Sequence, residues 1–136
     1  MLLATIHFPG NCDEAISFYK EAIGAEVKNI VYSDDESEGP NVMHSVVSIH
    51  GTLICMTDGA ETRPAGDNFT FLVTEDSADD VRALYGRLLE GGGKEVEALA
   101  PVFWASMYGI VEDRFGVNWQ VMTPEGLQGD VVGYGG

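Results

Sequence analysis

The chain states one pattern twice, and that duplication limits what it can fold into. Asp13-Glu-Ala-Ile-Ser-Phe-Tyr19 is echoed by Asp79-Asp-Val-Arg-Ala-Leu-Tyr85. Each helix-like stretch is followed by a matching strand start, Gly24-Ala-Glu-Val27 and then Gly93-Lys-Glu-Val96. Later, Gly51-Thr-Leu-Ile-Cys-Met-Thr57 is answered by Gly116-Val-Asn-Trp-Gln-Val-Met-Thr123. A period of about 65 residues is longer than solenoid repeats and occurs only twice, which points to two fused copies of one small module. Two half-barrels closing on each other would enclose a cleft, so the repeat says where function should sit before it says what the function is.

Reading along the chain gives the content of each copy. Leu2 to Phe8 reads as a strand that Pro9-Gly10 stops. Asn11 is a suitable helix N-cap, and Glu14 three residues later completes a capping-box pattern. Ala15, Phe18, Tyr19 and Ile23 then form one apolar helical stripe ending at Gly24. Ala25 to Tyr32, Val42 to His50 and Thr52 to Thr57 read as strands, separated by an acidic loop from Ser33 to Asn41 and a tight turn at Gly51. The second copy repeats the order: a strand from Asn68 to Thr74, a helix capped by Ser77 or Asp76, and strands at Lys94 to Leu99, Met107 to Glu112 and Val117 to Met122. The apolar stripe of that helix is Val81, Leu84, Tyr85, Leu88 and Leu89. Gly91-Gly-Gly93 ends it, Ala100-Pro101 marks a turn, and Asp113-Arg-Phe-Gly116 closes a hairpin. The expected fold class is α+β: two βαβββ modules, residues 1–58 and 68–123 of a single domain, whose mixed sheets form a shared cleft with the helices outside. Asp58 to Asp67 is the expected linker, and residues 124–136 are expected to be a flexible glycine-rich tail.

The net charge of −15 on 136 residues opposes contact with phosphate backbones and anionic lipid, which argues against nucleic-acid and membrane partners. It is compatible with a cationic ligand. No apolar run approaches membrane-spanning length, and Cys12 and Cys55 lack CxxC spacing, so reduced thiols and a cytoplasmic location are the expectation.

Gly10-Asn-Cys-Asp-Glu-Ala-Ile-Ser-Phe-Tyr19, Met43-His-Ser-Val-Val-Ser-Ile49, and Trp104-Ala-Ser-Met-Tyr-Gly109 running on to Asp113-Arg-Phe-Gly-Val-Asn-Trp-Gln120 resemble the vicinal oxygen chelate superfamily of glyoxalases, bleomycin-resistance proteins and extradiol dioxygenases. Within it the chain is most similar to the PhnB-like branch, often labelled 3-demethylubiquinone methyltransferase-like. The methyltransferase label finds no support in the residues, because Gly91-Gly-Gly93 follows a helix instead of opening one. The resemblance implies a homodimer and a small-molecule ligand. It also implies a metal site in the metal-using members, where four strand positions supply His and Glu to one divalent ion. Projected without gaps, those positions fall on Ala4, Cys55, Phe69 (or Asn68 with a one-residue slip) and Gln120. None is a histidine or carboxylate, so no metal cofactor is expected.

The remaining polar and aromatic residues offer other chemistry. His44 and His50 are about 20 Å apart along one strand and cannot share an ion. His7 with His44 could do so if their strands are neighbours. Otherwise His44 reads as a packed or pocket-lining residue and His50 as a turn residue. Cys12 lies in the first turn of a helix, where the dipole favours thiolate, although the reading of a small residue of the kind often found in a first turn is preferred. Cys55 reads as a small buried strand hydrophobe, although the repeat places it facing the cleft. Trp104 and Tyr108 could stack on a ligand or serve as core, whereas Trp119 should face the helix layer because it neighbours Gln120. Arg114 reads as a turn residue pairing locally with Asp113 and Glu112. The expected ligand pocket is therefore His7, His44, Cys55, Trp104, Tyr108 and Gln120. The expected function is metal-independent small-molecule binding of the bleomycin-resistance type. The alternative is a metal-dependent lyase, isomerase or dioxygenase-type enzyme, and the residues do not settle whether the chain is catalytic.

Overall fold

The computed structural model describes residues 1–33, 41–59 and 61–127. The acidic loop at 34–40 and the glycine-rich stretch at 128–136 lie outside the described residues. The chain divides into two compact units, Met1–Arg63 and Pro64–Gly136.

The first unit runs β1 (Thr5–Phe8), α1 (Cys12–Ile23), β2 (Glu26–Tyr32), β3 (Val42–Ile49) and β4 (Thr52–Asp58). Its sheet has the order β1-β4-β3-β2, with β1 parallel to β4 and the other pairs antiparallel. The helical crossover carries the chain from one edge to the other, and two hairpins bring β4 back beside β1. The stripe of α1 buries Ala15, Ile16, Tyr19 and Ile23, and Gly24 ends the helix at a φ of 70°. Phe8, Val47 and Met56 are buried with them in this unit. His50 and Gly51 both take positive φ, 50° and 79°, as a two-residue type I′ hairpin turn demands. His50 is thus a turn residue, as its neighbour Gly51 indicates.

The start of α1 departs from the capping-box reading. Asn11 occupies the N-cap position, but its side chain makes no capping bond, and its Oδ1 is buried without a partner among the described residues. Asp58, the last residue of β4 and not part of a linker, does the work from across the sheet. Its Oδ1 accepts from Gly10 N at 3.1 Å and Cys12 N at 2.9 Å, and its Oδ2 accepts from Val42 N at 2.8 Å.

The second unit repeats the topology with β5 (Phe71–Thr74), α2 (Ala78–Leu89), β6 (Lys94–Val102), β7 (Ala105–Glu112) and β8 (Asn118–Met122), in the order β5-β8-β7-β6. Here the cap is local: Ser77 Oγ accepts from Asp80 N at 3.1 Å. Val81, Leu84, Tyr85 and Leu88 are buried along α2, each full burial contributing about 2 kcal/mol. The helix packs on β7 and β8, and Gly109 makes that approach possible. A Cβ there would lie 2.9 Å from the Tyr85 ring and 3.0 Å from Glu97 O.

One expectation fails in this unit for a physical reason. Ala100-Pro101 is no turn, because β6 continues to Val102. β6 is an edge strand, where a residue without an N–H costs little, and the disturbance shows only as register shifts against β7. Beyond β8, Pro124–Leu127 forms a 3₁₀ helix.

Candidate functional site

Each sheet has one face covered by its own helix, and strand alternation assigns the residues of the other face. In the first unit the register pairs Thr5 with Cys55 and His7 with Thr57 across the parallel strands, and Cys55 with Val46 on β3. These residues share the face away from α1. Ala4 does not: it has the parity of Ile6 and Phe8, and only its carbonyl meets Cys55, accepting from Cys55 N at 2.9 Å. The ungapped projection is thus one residue out on β1, and the places next to Cys55 belong to Thr5 and His7.

His7 and His44 are exposed and not on neighbouring strands. β4 lies between β1 and β3, which puts the two backbones about 10 Å apart, and His44 pairs with Val31 on β2. The condition for a shared ion at these histidines is not met.

Cys12 is fully buried. Burial, with Asp58 and then Asp13 beside it, pushes its thiol up to about 12, opposite to the effect of the helix dipole. The carboxylate that satisfies the helix N-terminus also suppresses the thiolate.

The second unit has the more organised face. Leu72 on β5 and Ile110 on β7 both pair with Gln120, and Tyr108 pairs with Met122, so these side chains share the face away from α2. Trp119 points the other way, 1% exposed, with its indole N–H donating to Asp113 Oδ2 at 2.9 Å. Asp113 Oδ1 also accepts from Phe115 N at 2.9 Å and Val117 N at 3.1 Å. Asp113 therefore organises the β7–β8 turn through backbone amides, while the Arg114 guanidinium lies 4.8 Å from the Phe115 ring centroid.

On this face, open in the sense that α2 does not cover it although Tyr108 is only 9% exposed, Tyr108 OH donates to Gln120 Oε1 at 2.8 Å, and Gln120 Nε2 donates to Thr70 Oγ1 at 2.7 Å. Burial, with a smaller contribution from Glu97, raises the Tyr108 pKa, which keeps the phenol a donor. The Trp104 ring meets Tyr108 edge-on at 5.2 Å, and Phe103, 77% exposed, meets Trp104 at 4.8 Å. The 3₁₀ helix backs this group, since a Cβ on Gly126 would lie 2.8 Å from Trp104 O. Ser106 Oγ donates to Glu125 Oε1 at 2.6 Å, and this bond, with one from Thr123, lowers the Glu125 pKa to about 2.

Of the expected pocket residues, the structure gathers Trp104, Tyr108 and Gln120 in the second unit and places His7 and Cys55 on one face of the first. His44 is two strands from His7. Thr70 is the residue the sequence did not announce. The projection fell on Asn68 or Phe69, which precede β5, and Phe69 instead packs edge-on against Phe71 at 5.2 Å. A shallow depression of about 290 Å³ lies elsewhere, at the β7–β8 turn, lined by Lys94, Glu112, Arg114 and Phe115 among others. Cys55 and Gln120 supply a thiol and an amide where metal-using relatives would supply carboxylates, and Leu72, across from Gln120, supplies no donor. Among the described residues no group of three or more His, Cys, Asp or Glu is arranged to hold an ion. This donor set does not fit a four-ligand divalent site. No helix among the described residues is long and apolar enough to cross a membrane.

Residues 4–121 match the model of the Glyoxalase/Bleomycin resistance protein/Dioxygenase superfamily. The chain is 27% identical over 136 aligned positions to Protein YjdN of Escherichia coli, covering 85% of this chain and 90% of that protein. Among solved structures, PA1353 from Pseudomonas aeruginosa superposes with a TM-score of 0.77 at 27% identity, covering 90% of this chain and 96% of that one. A PhnB protein from Bacillus cereus, named as a candidate 3-demethylubiquinone-9 3-methyltransferase, superposes with a TM-score of 0.77 at 21% identity, covering 90% and 98%.

Proposed function

The chain belongs to the Glyoxalase/Bleomycin resistance protein/Dioxygenase superfamily, and from that premise we propose that it is a small-molecule binding protein that works without a metal ion. The ligand lies on the open face of the second sheet, against Trp104, Tyr108 and Gln120. One observation carries this reading: Gln120, at the place where metal-using relatives would supply a glutamate, is a neutral amide held from both sides by Tyr108 and Thr70. A fixed amide is a poor divalent-ion ligand but a good recognition group for a polar organic molecule. The aromatic edge formed by Trp104 and Phe103 supplies apolar contact beside it.

The charge of −15 favours neutral or cationic ligands over anions. Free thiols at Cys12 and Cys55 suit a reducing compartment, so we place the protein in the cytoplasm. We also propose a homodimer. Val31 and Tyr32 on edge strand β2 and Val96 on edge strand β6 are exposed apolar positions available to a second copy.

Thermal-shift screening and calorimetry in the presence of EDTA test the reading, using cationic glycopeptides, neutral heteroaromatics and other amphiphiles. A ligand at a hundred times its Kd should stabilise the protein by about 2.7 kcal/mol. Stoichiometric zinc, nickel or iron in the purified protein, with binding that EDTA abolishes, would overturn metal independence. A panel in which nothing stabilises the protein would overturn the binding role.

A further inference from the structure

We propose that the outer edge of the Gln120 carboxamide is the recognition element of this site, and that it selects neutral ligands carrying a carbonyl beside an N–H, as in a lactam, imide or primary amide. The inference rests on the reading of the open face as the binding surface and adds the chemical class of its ligand.

Strand order and the valence of an amide together determine what this edge presents. β8 lies between β5 and β7. Thr70 stands just before β5 and Tyr108 on β7, so their hydroxyls reach Gln120 from opposite flanks, at 2.7 Å and 2.8 Å. A primary amide has two N–H groups and two lone pairs in one plane. One of each points sideways, and one of each points outward along the far edge. Thr70 and Tyr108 take the two lateral positions. Among the described residues the Gln120 side chain makes no other hydrogen bond, so the outer edge offers one N–H and one lone pair side by side. Turning the amide over would exchange donor and acceptor and leave the same edge, because both hydroxyls can donate or accept.

That edge is complementary to a cis-amide, which can form two parallel hydrogen bonds with it. A carboxylate would set an oxygen against the Oε1 lone pair, and an ammonium group would set N–H against N–H. Either leaves one half of the edge unsatisfied, which is the costly outcome for a partly buried group. Leu72 and Ile110 flank Gln120 directly, and Trp104 packs against Tyr108. The surroundings therefore suit a flat, apolar ring. Thr70 and Tyr108 act as positioning residues that fix the plane of the reading group.

Ligand-observed and protein-observed NMR titration of the full chain with 2-quinolone, N-methyl-2-quinolone and quinoline-2-carboxylate tests this. We expect 2-quinolone to bind at least about tenfold more tightly than its N-methyl analogue, the size of one lost hydrogen bond that leaves a group unsatisfied. The carboxylate should bind more weakly than either. Gln120→Leu should erase the preference. Thr70→Val should narrow it while leaving the affinity for N-methyl-2-quinolone unchanged, a change of selectivity that a purely structural role for Thr70 would not produce. Equal affinity for the two quinolones, no binding of either at millimolar concentration, or a preference that survives Gln120→Leu would each overturn the inference. A ligand from the wider panel that stabilises wild type and Gln120→Leu equally would also overturn it while leaving the binding function intact. A panel with no stabilising ligand would remove both.

Discussion

In the first unit the last strand ends in Asp58, and in the second Thr123 stands at the matching place. Both side chains accept from an amide near the start of the third strand of their own unit: Asp58 Oδ2 from Val42 N at 2.8 Å and Thr123 Oγ1 from Met107 N at 3.3 Å. A carboxylate has a second oxygen, and Asp58 spends it on Gly10 N and Cys12 N. A threonine has none to spare, so α2 is capped by its own Ser77. One topology thus satisfies its helix N-terminus in two ways, by a bond across the sheet or by a local one. The open faces differ in the same sense. Thr57 Oγ1 donates to the backbone of its own sheet, at Met43 O, whereas Gln120 is wired between two side chains. The second unit carries the prepared polar surface, and the first carries the long-range staple.

The turns offer the sharpest test of this contrast. The β3–β4 turn needs only two residues of positive φ, while the β7–β8 turn hangs on the buried carboxylate of Asp113. Asp113→Ala should cost about 3 kcal/mol in urea denaturation, because three donors lose their acceptor in a buried place. Gly51→Ala should cost about 1 kcal/mol. Equal costs would sink the idea that the two hairpins are specified differently.

The helix starts come next. Asp58→Ala should destabilise by about 2 kcal/mol or somewhat more, and Ser77→Ala by about 1 kcal/mol. Hydrogen exchange distinguishes the mechanisms. Asp58→Ala should expose the amides of Cys12 and Val42 together, whereas Ser77→Ala should expose only the first turn of α2. Faster exchange confined to one of the two Asp58-bound segments would break the staple.

The smallest effect concerns the first helical position, Cys12 in one unit and Ala78 in the other. N-ethylmaleimide at pH 8 should label Cys55 in the native protein and reach Cys12 only on unfolding. Because the folded Cys12 thiol holds its proton to about 12 while an unfolded one ionises near 9.0, the linked stability is complete below the lower value. It should then decline as pH rises between the two. Cys12→Ala should flatten that decline, and a native Cys12 that reacts as fast as Cys55 would contradict the burial that raises its pKa.

Much of this fold was legible because each element carried its own punctuation. Ser77, Gly24, His50-Gly51 and Asp113 to Gly116 act within a few residues of where they stand, and the apolar stripes of both helices face their sheets as their spacing requires. Long-range features were harder to read. Nothing local says that Asp58 replaces Asn11 as the acceptor at the start of α1, nor that Pro101 sits harmlessly on an edge strand. The register of the parallel pairs is also silent in sequence. A one-residue slip separates Ala4 from the face of Cys55, and Thr70, not Phe69, reaches Gln120. The family pattern marked Gln120, but its partners depend on which strands lie beside β8.

The placement of the two tryptophans has a practical consequence. Trp119 is sealed in the core with its N–H on a carboxylate, while Trp104 is half-buried beside Tyr108. Excited selectively, the two indoles should emit at different wavelengths, blue for the sealed one and redder for the other. Trp104→Phe should leave a spectrum that follows unfolding alone, and Trp119→Phe one that follows occupancy of the open face. The two indoles therefore give separate optical reports on the core and on the face beside Tyr108, without an attached dye.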